Sequence, residues 1–197
     1  MELMSRYPDN HFELAIVDPP YGLERMSRKG NDKHNRISLK KAATFNDNKP
    51  TKEYWNELFR VSKNQIVWGA NNFIMPPSEY FLIWNKKQTV DNFATAEYAW
   101  VSMGLKKPAK MFDYGIHKHN HTDKIHPTQK PIPLYEFILM NYAKEGDKIL
   151  DTHLGSGSIA LACHNLKYDL TACELDKDYY EAAMLRLKQH QQQLKMF

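Results

Sequence analysis

The chain has 197 residues, of which 42% are hydrophobic and 25% are charged, and its formal net charge is +4 at pH 7. This composition predicts one globular domain over residues 1–197. Two cysteines exclude a disulfide framework, and no apolar run reaches the roughly 20 residues of a membrane span. With no signal-peptide pattern at the start, we expect a reducing, cytoplasmic setting, and the mild basicity permits a polyanionic partner without requiring one.

The first strong feature is the short motif Asp18-Pro19-Pro20-Tyr21, which follows a predicted helix and an apolar run at residues 14–17. The run predicts a buried strand, and open α/β sheets place their chemistry at the carboxyl ends of strands. Two prolines leave rigid carbonyls. A carboxylate, a stiff carbonyl and an aromatic face could grip a planar ring that carries an amino group. A simple turn with a capping aspartate is the alternative at this point.

A long basic connection follows from residue 22 to about residue 50, and its cations include Arg25, Arg28 and Lys29. Loops of this length inside a compact domain are usually functional or disordered. We expect a mobile basic loop that could follow phosphates beside the first motif. A solvated loop without specific contacts explains the same composition.

Three further strands are predicted at residues 65–69, 80–84 and 95–102, after a helix that begins at Thr51. The connection between the last two strands is too short for a helical crossover, so we expect residues 95–102 to run antiparallel to their neighbour.

Residues 103–125 are predicted to be irregular, and they mix basic with aromatic residues. That composition suits nucleic acid, and Lys106, Lys107 and Lys110 are candidate DNA contacts. A solvated loop is the alternative. The alternating histidines of this stretch lack the spacing of a metal site, so we predict no metal.

A nucleotide-binding pattern occupies the last part of the chain. The turn Gly155-Ser156-Gly157 follows a predicted strand that ends at Asp151, and Glu174 stands at the tip of the next predicted strand. Glycines let the backbone approach a ligand, and an acidic strand tip can accept both hydroxyls of a ribose. Asp151 suits an ammonium group, which S-adenosylmethionine has. The glycine turn also fits the sequence fingerprint of nicotinamide-binding proteins, but that fingerprint gives Asp151 no role.

The order of these motifs closely resembles the β-class amino-methyltransferases of DNA, whose pattern is D/S-P-P-Y, a target-recognition stretch, H-P-T-Q-K-P and D-x-x-x-G-S-G. Here these occupy residues 18–21, 103–125, 126–131 and 151–157. The resemblance implies an α/β, permuted Rossmann-like, S-adenosylmethionine-dependent methyltransferase sheet, mostly parallel with one antiparallel strand. We expect the edge strand that in such enzymes precedes the first helix to be lacking, which predicts six strands with residues 169–174 at an exposed edge.

The resemblance also implies a reaction. Asp at position 18 implies methyl transfer to adenine N6 of a base flipped out of double-stranded DNA. Asp18 and the Pro19 carbonyl would accept hydrogen bonds from the amine, Pro20 would stiffen the motif, and Tyr21 would stack on the base. Cytosine N4 and a catalytically silent DNA-binding relative are the alternatives.

The cofactor contacts implied by the resemblance come mostly from the later motifs. His126 and Lys130 would lie near the methionyl carboxylate, Asp151 at the ammonium and Glu174 at the ribose. Asp18 and the turn Gly155-Ser156-Gly157 would complete the cofactor site. The recognition stretch is short, so a second subunit of a homodimer could complete DNA recognition. The host would be bacterial or the gene phage-borne, with no membrane partner.

Overall fold

The structure is a computed structural model that describes residues 1–22, 48–91, 93–116, 118 and 124–193. The candidate DNA contacts Arg25, Arg28 and Lys29, and with them most of the predicted mobile loop, lie outside the described residues.

The described elements follow one another as helices and strands with two short 3-10 turns. The helices are α1 Glu2–Ser5, α2 Lys52–Val61, α3 Ile132–Tyr142, α4 Ser158–Leu166 and α5 Lys177–Gln192. The strands are β1 Phe12–Val17, β2 Ser62–Trp68, β3 Phe81–Asn85, β4 Ala96–Val101, β5 Lys110–Asp113, β6 Lys148–Asp151 and β7 Asp169–Ala172. The 3-10 turns are Ala70–Asn72 and Met103–Leu105.

In the part of the chain that the structure describes, seven strands form one sheet in the order β5-β3-β4-β2-β1-β6-β7. Strand β4 is antiparallel to both of its neighbours, and the other pairs are parallel. The predicted α/β class and the antiparallel direction of residues 95–102 are therefore confirmed. Strand β1 lies between β2 and β6, so the end of the first motif's strand adjoins the end of the nucleotide-binding strand.

The predicted count of six strands is wrong. Residues 103–125 were expected to be irregular, but Lys110–Asp113 forms β5 and pairs in parallel with β3. These four residues are too few and too polar to give a strand pattern in the sequence. Their strand conformation comes from pairing with β3. The expected exposed edge at the other side is confirmed, because β7 is the last strand there.

The core lies on both faces of the sheet. Leu14 and Ile16 of β1 belong to the apolar cluster that also contains residues of α3 and α4, whereas Ala15 and Val17 belong to the cluster that contains α2. Successive strand residues point to opposite faces, so a strand covered on both faces must be apolar throughout. This explains why the central strands were readable as continuous apolar runs.

The last helix begins after Asp176, whose side chain accepts hydrogen bonds from the backbone N–H groups of Asp178 and Tyr179, and it continues to Gln192. Among the described helices, none combines the length and apolar character that a membrane crossing requires.

We predict that Ile66→Ala lowers the free energy of unfolding by about 2–5 kcal/mol, because it deletes a fully buried side chain from a central strand. Urea unfolding monitored by circular dichroism measures the change. Leu185→Ala is the control, since Leu185 is 57% exposed and its truncation is expected to cost less than about 0.5 kcal/mol. Equal losses in the two variants would contradict this account of the core.

Candidate active site

A cavity of about 690 Å³ opens at the carboxyl ends of β1 and β6. Its wall combines stretches that are far apart in sequence, because parallel strands end at the same edge of a sheet. Nine residues singled out from the sequence line it: Asp18, Pro19, Pro20, Tyr21, His126, Lys130, Gly155, Ser156 and Glu174. The cavity has the size of an ordinary small-molecule site, which spans about 300–1,000 Å³.

The Asp18 carboxylate, one residue beyond β1, is held by two donors. The Tyr21 hydroxyl donates to Oδ1 at 2.6 Å, and the Lys130 ammonium donates to Oδ2. The Tyr21 ring lies against Gly69, where a Cβ atom would come within 2.2 Å of it and where φ is +63°. Burial and the nearby Asp18 charge raise the pKa of Tyr21 well above its usual range, so the phenol stays a donor.

Lys130 is buried between two carboxylates. Its Nζ contacts Asp18 and lies 3.3 Å from Oε2 of Glu97 and 5.3 Å from the centre of the Trp68 ring. Burial alone would lower the pKa of Lys130, but the charges of Asp18 and Glu97 raise it above its usual range. The ammonium therefore stays charged and holds the Asp18 carboxylate of the first motif, and the position near a methionyl carboxylate that the resemblance implies stays a prediction.

Glu97 is a site residue that the sequence analysis missed. It lies near the start of β4, and because β4 is antiparallel, this start faces the same edge as the ends of the parallel strands. Burial would raise the pKa of Glu97, but Lys130 and Lys86 outweigh it and lower the pKa to about 2. The available signal was a single acidic residue inside an otherwise apolar and aromatic strand.

Glu174 joins the tip of β7 to the glycine turn. Its Oε2 accepts the Gly155 N–H at 2.8 Å, and its Oε1 accepts the Asp176 N–H at 3.0 Å. A carboxylate has about four acceptor positions, so two hydrogen bonds leave capacity for hydroxyl groups of a ligand. The structure thus places Glu174 where the sequence predicted an acidic strand tip.

Asp151 and Gly157, both predicted to contact a cofactor, do not line the cavity. Asp151 is 2% exposed, and its Oδ1 accepts the His153 N–H at 2.9 Å. Burial raises the pKa of Asp151 to about 7. Gly157 begins α4 with φ at +71°, and a Cβ there would lie 3.1 Å from Ala183. Asp151 thus holds the start of the turn through His153, and the contact of Asp151 and Gly157 with a cofactor stays a prediction.

Two histidines in the wall stay neutral at pH 7. Burial, aided by the Lys130 charge, lowers the pKa of His126 to about 4, and burial lowers that of His153 to about 4. His126 accepts the Thr128 N–H through Nδ1 at 3.3 Å, and its ring packs on Tyr179 at 4.4 Å. A neutral imidazole here presents Nε2 as its protonated nitrogen.

Tyr54 and Thr152 complete this wall, and the sequence analysis missed both. The Tyr54 hydroxyl lies 2.7 Å from the Thr152 hydroxyl, which lies 3.0 Å from Nδ1 of His153. Tyr54 has the spacing of a buried residue of α2, a pattern that gives no sign of the role of its hydroxyl.

The basic residues Lys106, Lys107 and Lys110 lie elsewhere. They precede or begin β5, at the edge of the sheet where the parallel strands start, opposite the cavity. Their role in DNA contact stays a prediction that the geometry does not connect with the cavity. Within the described ranges, no group of three or more acidic, histidine or cysteine side chains could hold a metal ion.

Comparison of the sequence with known protein families gives a match over residues 31–185 to the family described as DNA methylase. A curated relative is the type II methyltransferase M.HpaI of Haemophilus parainfluenzae, which is 36% identical over 81 residues. The aligned part covers 41% of this chain and 26% of that protein, so it spans much less than the relative's own length.

Two solved structures share the fold over nearly the whole chain. The M1.HpyAVI–SAM complex matches with a TM-score of 0.58 and 19% identity, covering 93% of this chain and 92% of that one. The PvuII DNA methyltransferase, described as cytosine-N4-specific, matches with a TM-score of 0.60 and 12% identity, covering 96% and 86%.

We predict that His126 makes the protein acid-sensitive. Its pKa is near 4 in the folded chain and 6.5 in the reference state, so its neutral form stabilises the fold above pH 6.5, and this is lost as pH falls toward 4. Between pH 7 and pH 5, the wild type should lose about 2 kcal/mol of stability relative to His126→Gln. Asp151 titrates in both proteins and cancels in the difference.

Urea unfolding at the two pH values measures this difference. His164→Gln is the matched control, because His164 is exposed and its replacement is expected to leave the wild-type pH dependence unchanged. A parallel pH dependence in wild type and His126→Gln would show that the burial of His126 does not set the acid sensitivity.

Proposed function

Because the chain belongs to the DNA methylase family that matches residues 31–185, we propose that it transfers a methyl group from S-adenosylmethionine to an exocyclic amine of a DNA base. The observation that carries the proposal is the cavity, in which the Asp-Pro-Pro-Tyr motif faces the glycine turn and Glu174. The cavity therefore contains both a carboxylate that can accept hydrogen bonds from an amine and residues that suit a nucleoside.

The acceptor that we propose is adenine N6, in an enzyme of the β class with an Asp-Pro-Pro-Tyr motif. Support comes from the carboxylate of Asp18 at the first motif position and from the motif order along the chain. Cytosine N4 is the second candidate, because a methyltransferase described as cytosine-N4-specific shares the fold. Both amines present N–H donors to the same acceptors.

The residues of the wall fit S-adenosylmethionine by their chemistry. Glu174 can accept hydroxyl groups of a ribose, and the glycine turn allows close approach of the backbone. When bound, S-adenosylmethionine supplies an electrophilic methyl group on a sulfonium. His126 lies beside Gly155 of the turn, and both His126 and Lys130 line the cavity. They would border the part of the cavity between the glycine turn and the first motif.

The chain's own residues activate the amine. The lone pair of an exocyclic amine is delocalised into the ring, and hydrogen bonds from its N–H groups to Asp18 and to the Pro19 carbonyl draw the nitrogen toward tetrahedral geometry. In the structure the Tyr21 hydroxyl occupies Oδ1 of Asp18, so the incoming amine takes the place of the phenol. Lys130 keeps Oδ2 and fixes the carboxylate. Orientation supplies much of the rate in such a site.

The target base must leave the duplex to reach these acceptors, since its amine is otherwise stacked and paired. Tyr21 lines the cavity, and its ring packs against Phe73, with ring centres 6.1 Å apart. An aromatic ring in the wall suits stacking on an extruded base.

The test of the proposal is methyl transfer to duplex DNA from labelled S-adenosylmethionine, followed by digestion and mass spectrometry of the nucleosides. We expect N6-methyladenine. N4-methylcytosine would instead support the second candidate, and no modified base would contradict the proposed function.

Asp18→Ala should lower the rate of transfer by about 10²–10³-fold, the usual loss when a preorganised hydrogen-bonding group is removed from a reacting centre. Asp9→Ala is the control, because Asp9 precedes β1 at the opposite edge of the sheet and pairs with Arg60 on the surface. Wild-type rates in Asp18→Ala would exclude the amine-gripping role.

Glu174→Gln should weaken the binding of S-adenosylmethionine by about 10- to 100-fold, the effect of losing a hydrogen bond to a charged group. Glutamine keeps one oxygen as acceptor for the Gly155 N–H, and the Asp176 N–H bonded to the other oxygen is exposed, where water can replace the lost acceptor, so the turn should remain folded. Isothermal titration measures the dissociation constant, and Glu181→Gln on the exposed face of α5 is the control. Unchanged affinity in Glu174→Gln would remove Glu174 from the cofactor site.

A further inference from the structure

Four charged side chains of alternating sign run from the cavity into the sheet edge. Asp18 contacts Lys130, Lys130 lies 3.3 Å from Glu97, and Glu97 accepts from Lys86 at 2.6 Å. Their side chains are 13%, 3%, 27% and 16% exposed in that order. The series is electrically neutral as a whole, and its most buried member is the ammonium of Lys130.

Glu97 is the member whose position the fold fixes most firmly. It lies in β4 and pairs with Trp84 of β3, and the neighbouring Ala99 of β4 pairs with both β2 and β3. Asp18 and Lys130, by contrast, belong to connections, one after β1 and the other before α3. A strand held on both sides is a rigid base from which to orient a side chain in a loop.

The contacts of Lys130 restrict the position of its ammonium group to one beside Glu97. An ammonium has three donors. One is directed to Asp18 and one to Glu97, and the face of the Trp68 ring lies 5.3 Å from Nζ. With Glu97 in place, the ammonium is held where it engages Oδ2 of Asp18 and leaves Oδ1 to the Tyr21 hydroxyl.

We propose that Glu97 is a positioning residue for methyl transfer, which acts through Lys130 to orient the Asp18 carboxylate toward the target amine. The inference rests on the proposed function of the cavity and adds a residue outside the recognised motifs. Glu97 is not among the residues that line the cavity, whereas Lys130 and Asp18 are, so its effect on the amine would pass through Lys130.

This placement predicts a specific kinetic signature. Loss of the Glu97 carboxylate lets Lys130 and Asp18 reorient, which lowers the rate of transfer, whereas the binding of S-adenosylmethionine depends on the other end of the cavity. Glu97→Gln keeps the size of the side chain and removes its charge. We expect the single-turnover rate to fall about 10- to 100-fold, the effect of a small misplacement of a reacting group, with the dissociation constant of S-adenosylmethionine changed less than twofold.

Glu57→Gln is the matched control. Glu57 lies on α2 and pairs with Arg60 at 2.7 Å; its side chain is 25% exposed, close to the 27% of Glu97, but this pair does not involve Lys130. An ion pair at the surface contributes little, so the transfer rate of Glu57→Gln should equal that of the wild type. Rates are normalised to the fraction of protein that binds S-adenosylmethionine by titration, which removes any effect of misfolded protein.

A second variant tests whether Glu97 acts through Lys130. In a Lys130→Gln background, Glu97→Gln should cause no further loss of rate, because two residues that act through one contact are not additive. Independent, multiplicative losses would overturn the proposal, as would a wild-type rate in Glu97→Gln or a loss confined to cofactor affinity. If the wild type transfers no methyl group, the proposed function fails and this inference fails with it; if only the Glu97 variants behave like wild type, the inference alone fails.

Discussion

The ion pair between Lys130 and Asp18 joins the two halves of the candidate site. Lys130 comes from the connection before α3 and Asp18 from the end of β1, 112 residues apart along the chain. Burying an ammonium is costly unless carboxylates surround it, and Asp18 and Glu97 meet that condition together. Strands β1 and β4 and the connection before α3 therefore meet at one edge of the sheet. Because they meet there, the carboxylate of the first motif is held in a fixed position.

The sequence predicted most of the fold because the central strands are covered on both faces. Leu14 and Ile16 serve one layer and Ala15 and Val17 the other, so β1 stands out as an unbroken apolar run. Strand β5 escaped prediction for the opposite reason. Met111 in its centre is 62% exposed, and its order comes from hydrogen bonds to β3, which a local pattern does not contain.

The site divides in the same way. Motif residues at strand ends, such as Asp18 and Glu174, were predictable because a parallel sheet collects strand ends at one edge. Glu97 was not, since its contribution depends on β4 running backwards and on its register with β3. Lys106 and Lys107 show the opposite case. Their composition predicts nucleic-acid contacts, but only the sheet topology reveals that they lie at the edge opposite the cavity. The spacing of residues in the sequence also does not predict how deeply a side chain is buried, as the buried Asp151 illustrates.

The hydrogen bond from Tyr21 to Asp18 also bears on which bases fit the proposed function. In that proposal, the amino group of the target base displaces the phenol from Oδ1 of Asp18. Adenine and cytosine each carry an amino group on the edge that faces the major groove, whereas thymine and guanine carry a carbonyl oxygen there, which a carboxylate repels. On the proposed function, the phenol of Tyr21 is thus a competing donor that an amino group at this edge of the base would displace and a carbonyl oxygen at this edge would not, a discrimination that would come before any reading of DNA sequence.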